Sequence, residues 1–388
     1  MRNARLRGTT SKDYETKVIE ESVRAIEKLL PIALEKKGKD VIKVMHVCGT
    51  HEHTVTHNGL RSLVPPQLEI IAGPGCPVCI TPASAVDEMI KLSLEGVRVY
   101  AYGDVYKLPG TKGSLATARA RGGDVKVVYG FLDAMKDARE HGKEAVFFGV
   151  GFETTVPTVA SPVYLGKVPE NLKIFSVYRL TAPGLDKALE AHKDLGVPLD
   201  GIIAPGHVSS IIGANAWKYL PEKYGLPTVV AGFEAYDYMV ALVWLLKQIV
   251  KGEARLENEY SRVVKPEGNV IAWKRVNEVF YVTDAYWRGI GVLPNSGLEF
   301  RDAYSKYDAS KEYGLEVKPT ERELPPGCKC AQINLGIAKP TDCPHFKKTC
   351  TPTNPIGPCM VSDEGTCAIW AKFGGGELIR TLAKELGL

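Results

Sequence analysis

The sequence predicts an α/β fold with two similar parallel-sheet domains and a loop-rich, cysteine-rich C-terminal module. Three observations support this prediction. Eight short apolar runs rich in β-branched residues alternate with helical stretches, the turns after the first four runs resemble those after the second four, and six of the nine cysteines fall near the C-terminus. Alternating strands and helices are typical of parallel sheets.

Length and composition narrow the class of protein. The chain has 388 residues, which exceeds one typical hydrophobic core and indicates two or three domains. Hydrophobic residues make up 45% and the net charge is +4, so the composition is that of a soluble globular protein and gives no basis for nucleic-acid binding. No apolar run reaches the ~18 residues of a membrane span, and the polar N-terminus lacks the apolar core of a signal peptide. We therefore expect a cytoplasmic protein.

The predicted elements follow in chain order. Residues 15–37 carry apolar side chains at helical spacing and predict an amphipathic helix. The eight apolar runs are apolar on both faces, as buried parallel strands are. They are Val41–Val47, Leu68–Ala72, Val97–Tyr102, Val125–Tyr129, Ala145–Val150, Leu172–Tyr178, Gly201–Ala204 and Thr228–Ala231. A second strong helix is predicted over Ala235–Lys251.

Five segments are expected from these patterns. They are an N-terminal helix (1–40), a first α/β domain (41–143), a second α/β domain (144–252), a mixed segment that packs back on the first domain (253–324) and the cysteine-rich module (325–388). A single (βα)8 barrel is the rival interpretation, since eight strands would fit it. We favour two domains because the turns look paired between the two halves.

The tail cysteines predict a metal centre. In a reducing compartment, clustered cysteines are more often metal ligands or redox groups than structural disulfides. Zinc usually takes close Cys-x2-Cys pairs, whereas the wide spacing and many prolines of this tail suit a loop that wraps an iron–sulfur cluster. The expected ligands of a [4Fe-4S] cluster are Cys330, Cys343, Cys350 and Cys367. Cys328 and Cys359 are then spare and able to form a redox pair; zinc and disulfides are the alternatives.

Three further cysteines lie in two motifs that each follow a predicted strand. Cys76 and Cys79 stand in Gly73-Pro-Gly-Cys-Pro-Val-Cys, before a helix expected from Ala83. A Cys-x2-Cys at a helix N-terminus has a lowered thiol pKa, which predicts a redox or metal-binding pair; two buried cysteines in a turn are the alternative. Cys48 stands in Cys48-Gly-Thr-His-Glu, where a thiolate beside imidazoles suits iron. Because ligands bind at the carboxyl ends of parallel strands, we expect the three cysteines on one edge of the first domain.

Two residues of the second half carry weaker signals. Glu153 and His207 end predicted strands and either face a cleft or act as local caps. The glycine-rich turn before Glu153 lacks the Gly-Lys-Ser/Thr of a phosphate loop, so nucleotide binding is not supported.

Four motifs together resemble the HypD family of hydrogenase maturation factors. They are Cys48-Gly-Thr-His-Glu, Gly73-Pro-Gly-Cys-Pro-Val-Cys, Gly151-Phe-Glu-Thr-Thr and Met360-Val-Ser-Asp-Glu-Gly-Thr-Cys. The resemblance extends from about Val41 to the end of the chain. One departure is Ala331, which stands where the family often has a glycine after Cys-x-Cys.

The resemblance implies a scaffold that works with the small partner HypC. On such a scaffold the Fe(CN)2CO unit of [NiFe]-hydrogenase is assembled, with cyanide supplied by HypE. Cys48 would hold the transient Fe(II) together with a cysteine of HypC, and His51 would support it. Cys76 and Cys79 would be a redox-active pair or further iron ligands, the tail cysteines would hold the [4Fe-4S] cluster as an electron supply, and Glu364 belongs to the family's Ser-x-Glu-Gly-x-Cys motif.

Three functions therefore stand side by side. The first is a redox-active assembly scaffold rather than a stand-alone enzyme. The second is a cluster-dependent thiol–disulfide oxidoreductase that acts through Cys76 and Cys79. The third is a zinc-stabilised binding module without enzymatic activity.

Overall fold

The structure is a computed structural model that describes residues 11–374. The described chain divides into two compact units. The first unit combines residues 11–72, 192–268 and 373–374, and the second combines Gly73–Ala191 with Asn269–Lys372. Each unit is therefore built from segments that are distant in the sequence.

The strands match the predicted apolar runs closely. They are β1 (Ile42–His46), β2 (Leu68–Ala72), β3 (Arg98–Ala101), β4 (Val125–Val127), β5 (Ala145–Gly151), β6 (Leu172–Tyr178), β7 (Gly201–Pro205), β8 (Thr228–Ala231), β9 (Leu256–Asn258), β10 (Phe280–Trp287) and β11 (Gly291–Phe300). The first eight confirm the eight predicted strands.

The α-helices alternate with the strands. They are α1 (Ser11–Lys37), α2 (Gly49–His57), α3 (Ala83–Leu94), α4 (Leu115–Ala120), α5 (Phe131–His141), α6 (Val156–Tyr164), α7 (Thr181–Asp194), α8 (Gly206–Ile212), α9 (Tyr219–Tyr224), α10 (Ala235–Lys251), α11 (Val270–Val279), α12 (Ala309–Tyr313), α13 (Cys330–Asn334), α14 (Pro358–Val361) and α15 (Thr366–Phe373). Both helices that the sequence predicts most strongly are present as α1 and α10.

The first unit is built on a five-stranded sheet. Its order is β2-β1-β7-β8-β9, and all neighbouring strands are parallel. Its core joins Val44 and Val229 of the sheet to Ile26 of α1 and to Leu242 and Leu246 of α10. Since the strands are parallel, their carboxyl ends share one edge, where polar loop residues can meet a ligand.

The second unit contains a four-stranded parallel sheet of order β4-β3-β5-β6 and an antiparallel hairpin of β10 and β11. The seven residues of β5 are all buried, as expected for a central parallel strand. The Ser176 hydroxyl of β6 donates to the Leu298 carbonyl of β11 over 2.6 Å, which ties the hairpin to the sheet. The short helices α13 to α15 contribute to the same core as β3 and β5.

The predicted α/β class with parallel sheets is confirmed, but the strands are distributed differently from the expectation. The first two and last two predicted strands form one sheet, and the middle four form the other. The single-barrel interpretation is therefore wrong for the described chain. Similar turns follow strands in both sheets, so resemblance between turns cannot report which sheet a strand joins. The C-terminal segment is rich in loops as expected, and its cysteines cluster within the core of the second unit.

One further expectation concerns membranes. Within residues 11–374, no helix combines the length and apolar character that crossing a membrane requires.

Candidate functional site

The Cys48 motif lies at the carboxyl edge of the sheet in the first unit. Cys48 is half-buried and precedes α2 as its N-cap residue, with an extended backbone (φ −160°, ψ 130°). The positive end of a helix dipole favours a thiolate at this position. His51 is the third residue of α2, so its side chain lies on the first turn of the helix above Cys48.

The imidazole of His51 is held in one tautomer. It is fully buried, and Nε2 lies 2.9 Å from the carbonyl oxygen of Gly232 and 3.3 Å from that of Ala231. Because a carbonyl only accepts hydrogen bonds, Nε2 carries the proton and Nδ1 carries a lone pair. Nδ1 has no hydrogen-bond partner among the described residues. Burial lowers the pKa of His51 to about 3, so the ring is neutral and offers this lone pair to a proton donor or a metal.

An ion pair lies next to His51 and joins Glu52 of the same helix to Arg61, which follows the end of that helix. The guanidinium of Arg61 donates two hydrogen bonds, of 2.6 and 3.0 Å, to the carboxylate of Glu52. The Thr56 hydroxyl donates to the same carboxylate over 2.6 Å, and Nε2 of His46 lies 3.0 Å from it. Burial alone would raise the pKa of Glu52, but the charge of Arg61 and the contact with His46 hold it below its usual range. Glu52 is therefore ionised and fixed, and it anchors α2 to β1.

Aromatic rings pack beside His51 at this edge of the sheet. Phe233 stacks on His51 with ring centroids 4.7 Å apart, and His207 stacks on the other side of Phe233 at 3.7 Å. His207 follows β7, so this expected strand-end residue lies at the same edge as His51.

Glu153, the other expected strand-end residue, lies in the second unit. Its carboxylate accepts hydrogen bonds from the Thr181 amide and hydroxyl at 2.8 and 2.6 Å, which is a local capping role.

The Cys-x2-Cys pair lies in the second unit and is oxidised. Cys76 and Cys79 form a disulfide, and both are buried. The following helix begins at Ala83, so Cys79 precedes it by four residues and does not occupy its N-terminus. The helix starts where the sequence predicts it, and the three residues between Cys79 and Ala83 keep both cysteines outside its first turn. A dipole-lowered thiol pKa is therefore not supported by the geometry, since the dipole acts mainly within the first turn.

The six tail cysteines surround one cavity in the same unit. The cavity is lined mainly by thiols and apolar side chains. Its cysteines are Cys328, Cys330, Cys343, Cys350, Cys359 and Cys367. This set includes the four expected ligands and both expected spares, so the division between them stays a prediction.

Contacts among the thiols are uneven. Cys359 lies close enough to Cys330 and Cys367 for the thiols to interact, and its Sγ accepts a hydrogen bond from the amide of Cys367 over 3.3 Å. Burial raises the pKa of Cys328 to about 12, so this thiol keeps its proton unless a cation binds. Within residues 11–374, no three histidine, cysteine or acidic side chains lie close enough to hold a single metal ion. A set of thiols spread around an apolar cavity fits a bulky iron–sulfur cluster better than a compact zinc site.

The disulfide adjoins this cavity. Sγ of Cys330 lies 4.0 Å from the carbonyl oxygen of Cys79, although the two residues are 251 positions apart. Sγ of Cys79 lies 4.0 Å from the carbonyl oxygen of Pro358, the residue before Cys359. The structure thus brings together the Cys-x2-Cys motif and the tail cysteines, which the sequence could not show.

Glu364 lies near the cavity on the loop before α15. Desolvation of its carboxyl group and the negative charge of Asp104 raise its pKa to about 7, although the residue as a whole remains exposed. The Ser362 hydroxyl donates to Asp104 over 3.0 Å, which fixes this second carboxylate. Glu364 can therefore hold or release a proton near neutral pH.

Comparison with known proteins decides the family. The model of the family described as "HypD: Hydrogenase formation hypA family" matches residues 18–374. The chain belongs to the HypD family. It is 44% identical over 353 residues to a protein of Methanocaldococcus jannaschii named for hydrogenase expression and formation, covering 90% of this chain and 96% of that one. It is 40% identical over 341 residues to hydrogenase maturation factor HypD of Rhodobacter capsulatus, covering 86% and 90%. For hydrogenase maturation factor HypD of Escherichia coli the identity is 38% over 339 residues, covering 86% and 89%.

Several buried residues of this HypD chain escaped sequence reasoning. Arg61 and Tyr238 meet the Cys48 motif only in three dimensions, where the Tyr238 hydroxyl lies 2.8 Å from Nδ1 of His46. Arg288 follows β10 and is buried next to the disulfide loop. Neither arginine belongs to a motif, so no local signal could have found them. The only sequence signal is a charged residue within an apolar stretch, and many surface residues show the same signal.

Proposed function

We propose that this protein is a [NiFe]-hydrogenase maturation factor that acts as a scaffold for assembly of an Fe(CN)2CO unit. Membership of the HypD family and the names of its relatives support the process. The observation that carries the proposal is the contact between a reducible disulfide and a cavity of six thiols. Such a pairing of redox groups suits an assembly site whose iron must be kept reduced.

Iron is the cargo in this proposal, and Cys48 is its ligand. A thiolate is a strong donor for iron(II), and the helix N-terminus favours the thiolate form. His51 supports the site through its neutral ring, because the Nδ1 lone pair accepts a hydrogen bond or binds the metal directly. The ion pair of Glu52 and Arg61 holds α2, and therefore both residues, in place.

Partners supply what this chain does not contain. A HypC-like small chaperone provides a second cysteine ligand for the iron, and a HypE-like protein donates cyanide. Both assignments follow from the family resemblance and from the single cysteine in the Cys48 motif. The cytoplasm is the compartment that suits free thiols and reduced iron.

The resident cofactor of the proposal is a [4Fe-4S] cluster in the tail cavity. Such a cluster supplies electrons one at a time. Two assignments of its ligands fit the contacts. Cys343, Cys350 and Cys367 belong to both. The fourth ligand is Cys330, as the sequence predicts, or Cys328, because the contact between Cys330 and Cys359 lets those two pair with each other instead.

Single substitutions distinguish the two ligand assignments. Cys328→Ala and Cys330→Ala should differ in iron and sulfide content after anaerobic purification, because loss of a ligand destabilises the cluster. If Cys330→Ala loses the cluster and Cys328→Ala retains it, the assignment from the sequence holds; the reverse result supports Cys328.

The Cys76–Cys79 pair would carry two electrons. Its reduction takes up two electrons and two protons and gives two thiols. The Glu364 carboxyl group, whose pKa is raised to about 7, would be a source of protons in the same unit. Electrons stored in this pair of cysteines would be available to keep the iron cargo reduced without a soluble thiol.

The alternative function is a cluster-dependent thiol–disulfide oxidoreductase. The disulfide beside the thiol cavity is the observation that favours it. Exchange with another protein requires an attacking thiolate to reach one sulfur, however, and Cys76 and Cys79 are only 3% and 0% exposed. Burial therefore favours an internal electron store over exchange with a substrate protein.

Complementation tests the proposed function. The wild-type chain should restore hydrogenase activity to a strain that lacks its own HypD-family protein but keeps the other maturation factors. Cys48→Ala should restore none, because the iron loses its ligand on this chain. Thr50→Ala is a matched control, since Thr50 is also half-buried at the start of α2 and carries no metal donor thiol. Full activity of Cys48→Ala would overturn the scaffold role.

Elemental analysis tests the cofactor separately. Anaerobically purified protein should contain about four irons and four sulfides per chain. One zinc per chain without sulfide would instead support the zinc-stabilised binding module.

A further inference from the structure

The turn between β10 and β11 carries a buried arginine. Arg288 is only 2% exposed. Its amide donates to the carbonyl oxygen of Ile80 over 2.9 Å, and Ile80 directly follows Cys79. The arginine is thus fixed against the loop that carries the disulfide.

The same turn also packs against the tail. Gly289 has a positive φ of 70°, and a Cβ added to it would lie 2.7 Å from Cδ1 of Leu324 and 3.2 Å from Cβ of Ala331. Ala331 follows Cys330 in α13. Such close approach means that the turn lies directly on the start of α13, between the disulfide loop and the first buried tail cysteine.

The guanidinium of Arg288 is held mainly by neutral groups. Nη1 donates to the carbonyl of Pro109 over 2.7 Å, and Nε donates to the carbonyl of Glu323 over 2.5 Å. The nearest carboxylate oxygen, from Glu323, is 3.8 Å from Nε. That carboxylate also accepts hydrogen bonds from the amides of Ala83 and Thr320, both at 3.0 Å. The buried positive charge is therefore only partly compensated.

The tail thiols are the groups nearby that can balance the rest of this positive charge. Cys330, Glu323, Cys328 and Asp87 lie close enough to this guanidinium for a negative charge on any of them to stabilise it. A charge buried in low dielectric acts strongly on its neighbours, and water screens it little. Arg288 therefore stabilises a negative charge at these sulfurs, and such a charge stabilises the guanidinium of Arg288 in return.

We propose that Arg288 is an electrostatic positioning residue that stabilises negative charge at the tail sulfurs and thereby raises the reduction potential of the iron–sulfur cluster held there. This inference rests on the cluster of the proposed function. A one-electron reduction adds one negative charge to the centre, so a buried cation nearby favours the reduced form. Arg288 does not bind the cluster and takes no part in the chemistry of the iron cargo.

The test is a potentiometric titration of anaerobically purified full-length protein, followed by the absorbance and electron paramagnetic resonance of the cluster. Arg288→Met removes the charge and keeps a long apolar side chain. We expect at least a tenfold loss in the equilibrium constant for reduction, which equals about 59 mV for a one-electron couple. Arg288→Lys keeps the charge and should retain most of the wild-type potential.

Arg179→Met is the matched control. Arg179 is also buried in the second unit, and its guanidinium donates to the carbonyls of Tyr178 and Tyr286 at 3.0 Å. The negative charge that acts on it comes from Glu299 rather than from a cysteine. Its removal should therefore leave the cluster potential unchanged while disturbing the packing to a similar degree.

Glu323→Gln provides a second measurement of opposite sign. Removing this carboxylate leaves the charge of Arg288 less compensated, so the potential should rise. The proposal fails if Arg288→Met retains its cluster and titrates with the control, or if Arg288→Met does not fold and Glu323→Gln titrates like wild type. Absence of a cluster from the wild-type protein would instead refute the cofactor of the proposed function, which separates the two failures.

Discussion

At the scale of single residues, the site of the first unit depends on two histidines and a carboxylate with fixed protonation states. His51 donates from Nε2 to backbone carbonyls, so its Nδ1 is free to accept. Glu52 is ionised because Arg61 binds it, and burial lowers the pKa of His46 so that its ring is neutral. The groups beside Cys48 thus do not change charge near neutral pH.

Replacing Arg61 tests the importance of the buried ion pair. Arg61→Met leaves the Glu52 carboxylate buried without its countercharge, which should cost about 3–5 kcal/mol of unfolding free energy. The exposed pair of Arg24 and Glu20, 3.2 Å apart, gives the control; Arg24→Ala should cost less than about 1 kcal/mol. Urea denaturation measures both. Equal losses in the two variants would contradict the structural role of the buried pair.

The pKa of His51 predicts a pH dependence of stability. Between pH 6.5 and about 3 the unfolded chain binds a proton at His51 and the folded chain does not. Stability should therefore be complete above pH 6.5 and fall as the pH is lowered through this window. His51→Gln keeps a donor for the Gly232 carbonyl but does not titrate, so its stability should fall less steeply. Denaturation curves at several pH values check this, and identical slopes would contradict a buried neutral His51.

His51→Gln also distinguishes the structural role of His51 from its proposed role in holding iron. Glutamine can replace the Nε2 donor but has no lone pair at the position of Nδ1. We expect His51→Gln to fold and to retain less iron on Cys48 than wild type. Wild-type iron retention after gel filtration would show that only the hydrogen bond to Gly232 matters.

At the scale of elements, the strands were predictable and their partners were not. Each predicted strand is a short β-branched run that is apolar on both faces, and this local signal is sufficient. Pairing depends on the whole chain, so β2 and β3 lie in different sheets although they are successive. The Cys-x2-Cys pair was correctly located in a turn before a helix that begins at Ala83, but its burial and its contact with the tail cysteines depend on the folded chain. Arg61 and Arg288 become part of the sites only through folding.

Gly206 tests the close packing at the carboxyl end of β7. A Cβ on Gly206 would lie 2.5 Å from the carbonyl oxygen of Ala231, a backbone atom that cannot move cheaply. Gly206→Ala should therefore cost about 1–3 kcal/mol of unfolding free energy. Gly130 is the control, because it has an extended backbone and no atom within 4 Å of the added Cβ. If both variants unfold alike, the packing at this sheet edge is looser than described.

At the scale of the whole molecule, each unit combines segments that are distant in the sequence and carries its own set of cysteines. The first unit carries Cys48, and the second carries the disulfide and the six tail thiols. The sequence predicts the thiol groups and their family but not the contact between Cys79 and Cys330, because 251 positions separate them. That contact makes an electron store beside a cluster site physically reasonable.

Removing the disulfide tests this arrangement. Cys76→Ala should leave the visible absorbance of the tail cluster intact, because Cys76 is not one of its ligands, and should abolish hydrogenase maturation. Pro77→Ala alters the same loop without touching either sulfur and serves as control. Normal maturation by Cys76→Ala would rule out the redox pair, and loss of cluster absorbance would make Cys76 a cluster ligand.

Infrared spectroscopy tests whether Cys48 holds the iron of the proposed scaffold. The protein should be isolated anaerobically in complex with the proposed HypC-like partner from cells that express the cyanide-donating machinery. We expect cyanide and carbon monoxide stretching bands of an Fe(CN)2CO unit in the wild-type complex, and their loss in the Cys48→Ala complex, with the tail cluster retained in both. Absence of the bands from the wild-type complex, or equal bands with Cys48→Ala, would contradict a scaffold that holds its iron at Cys48.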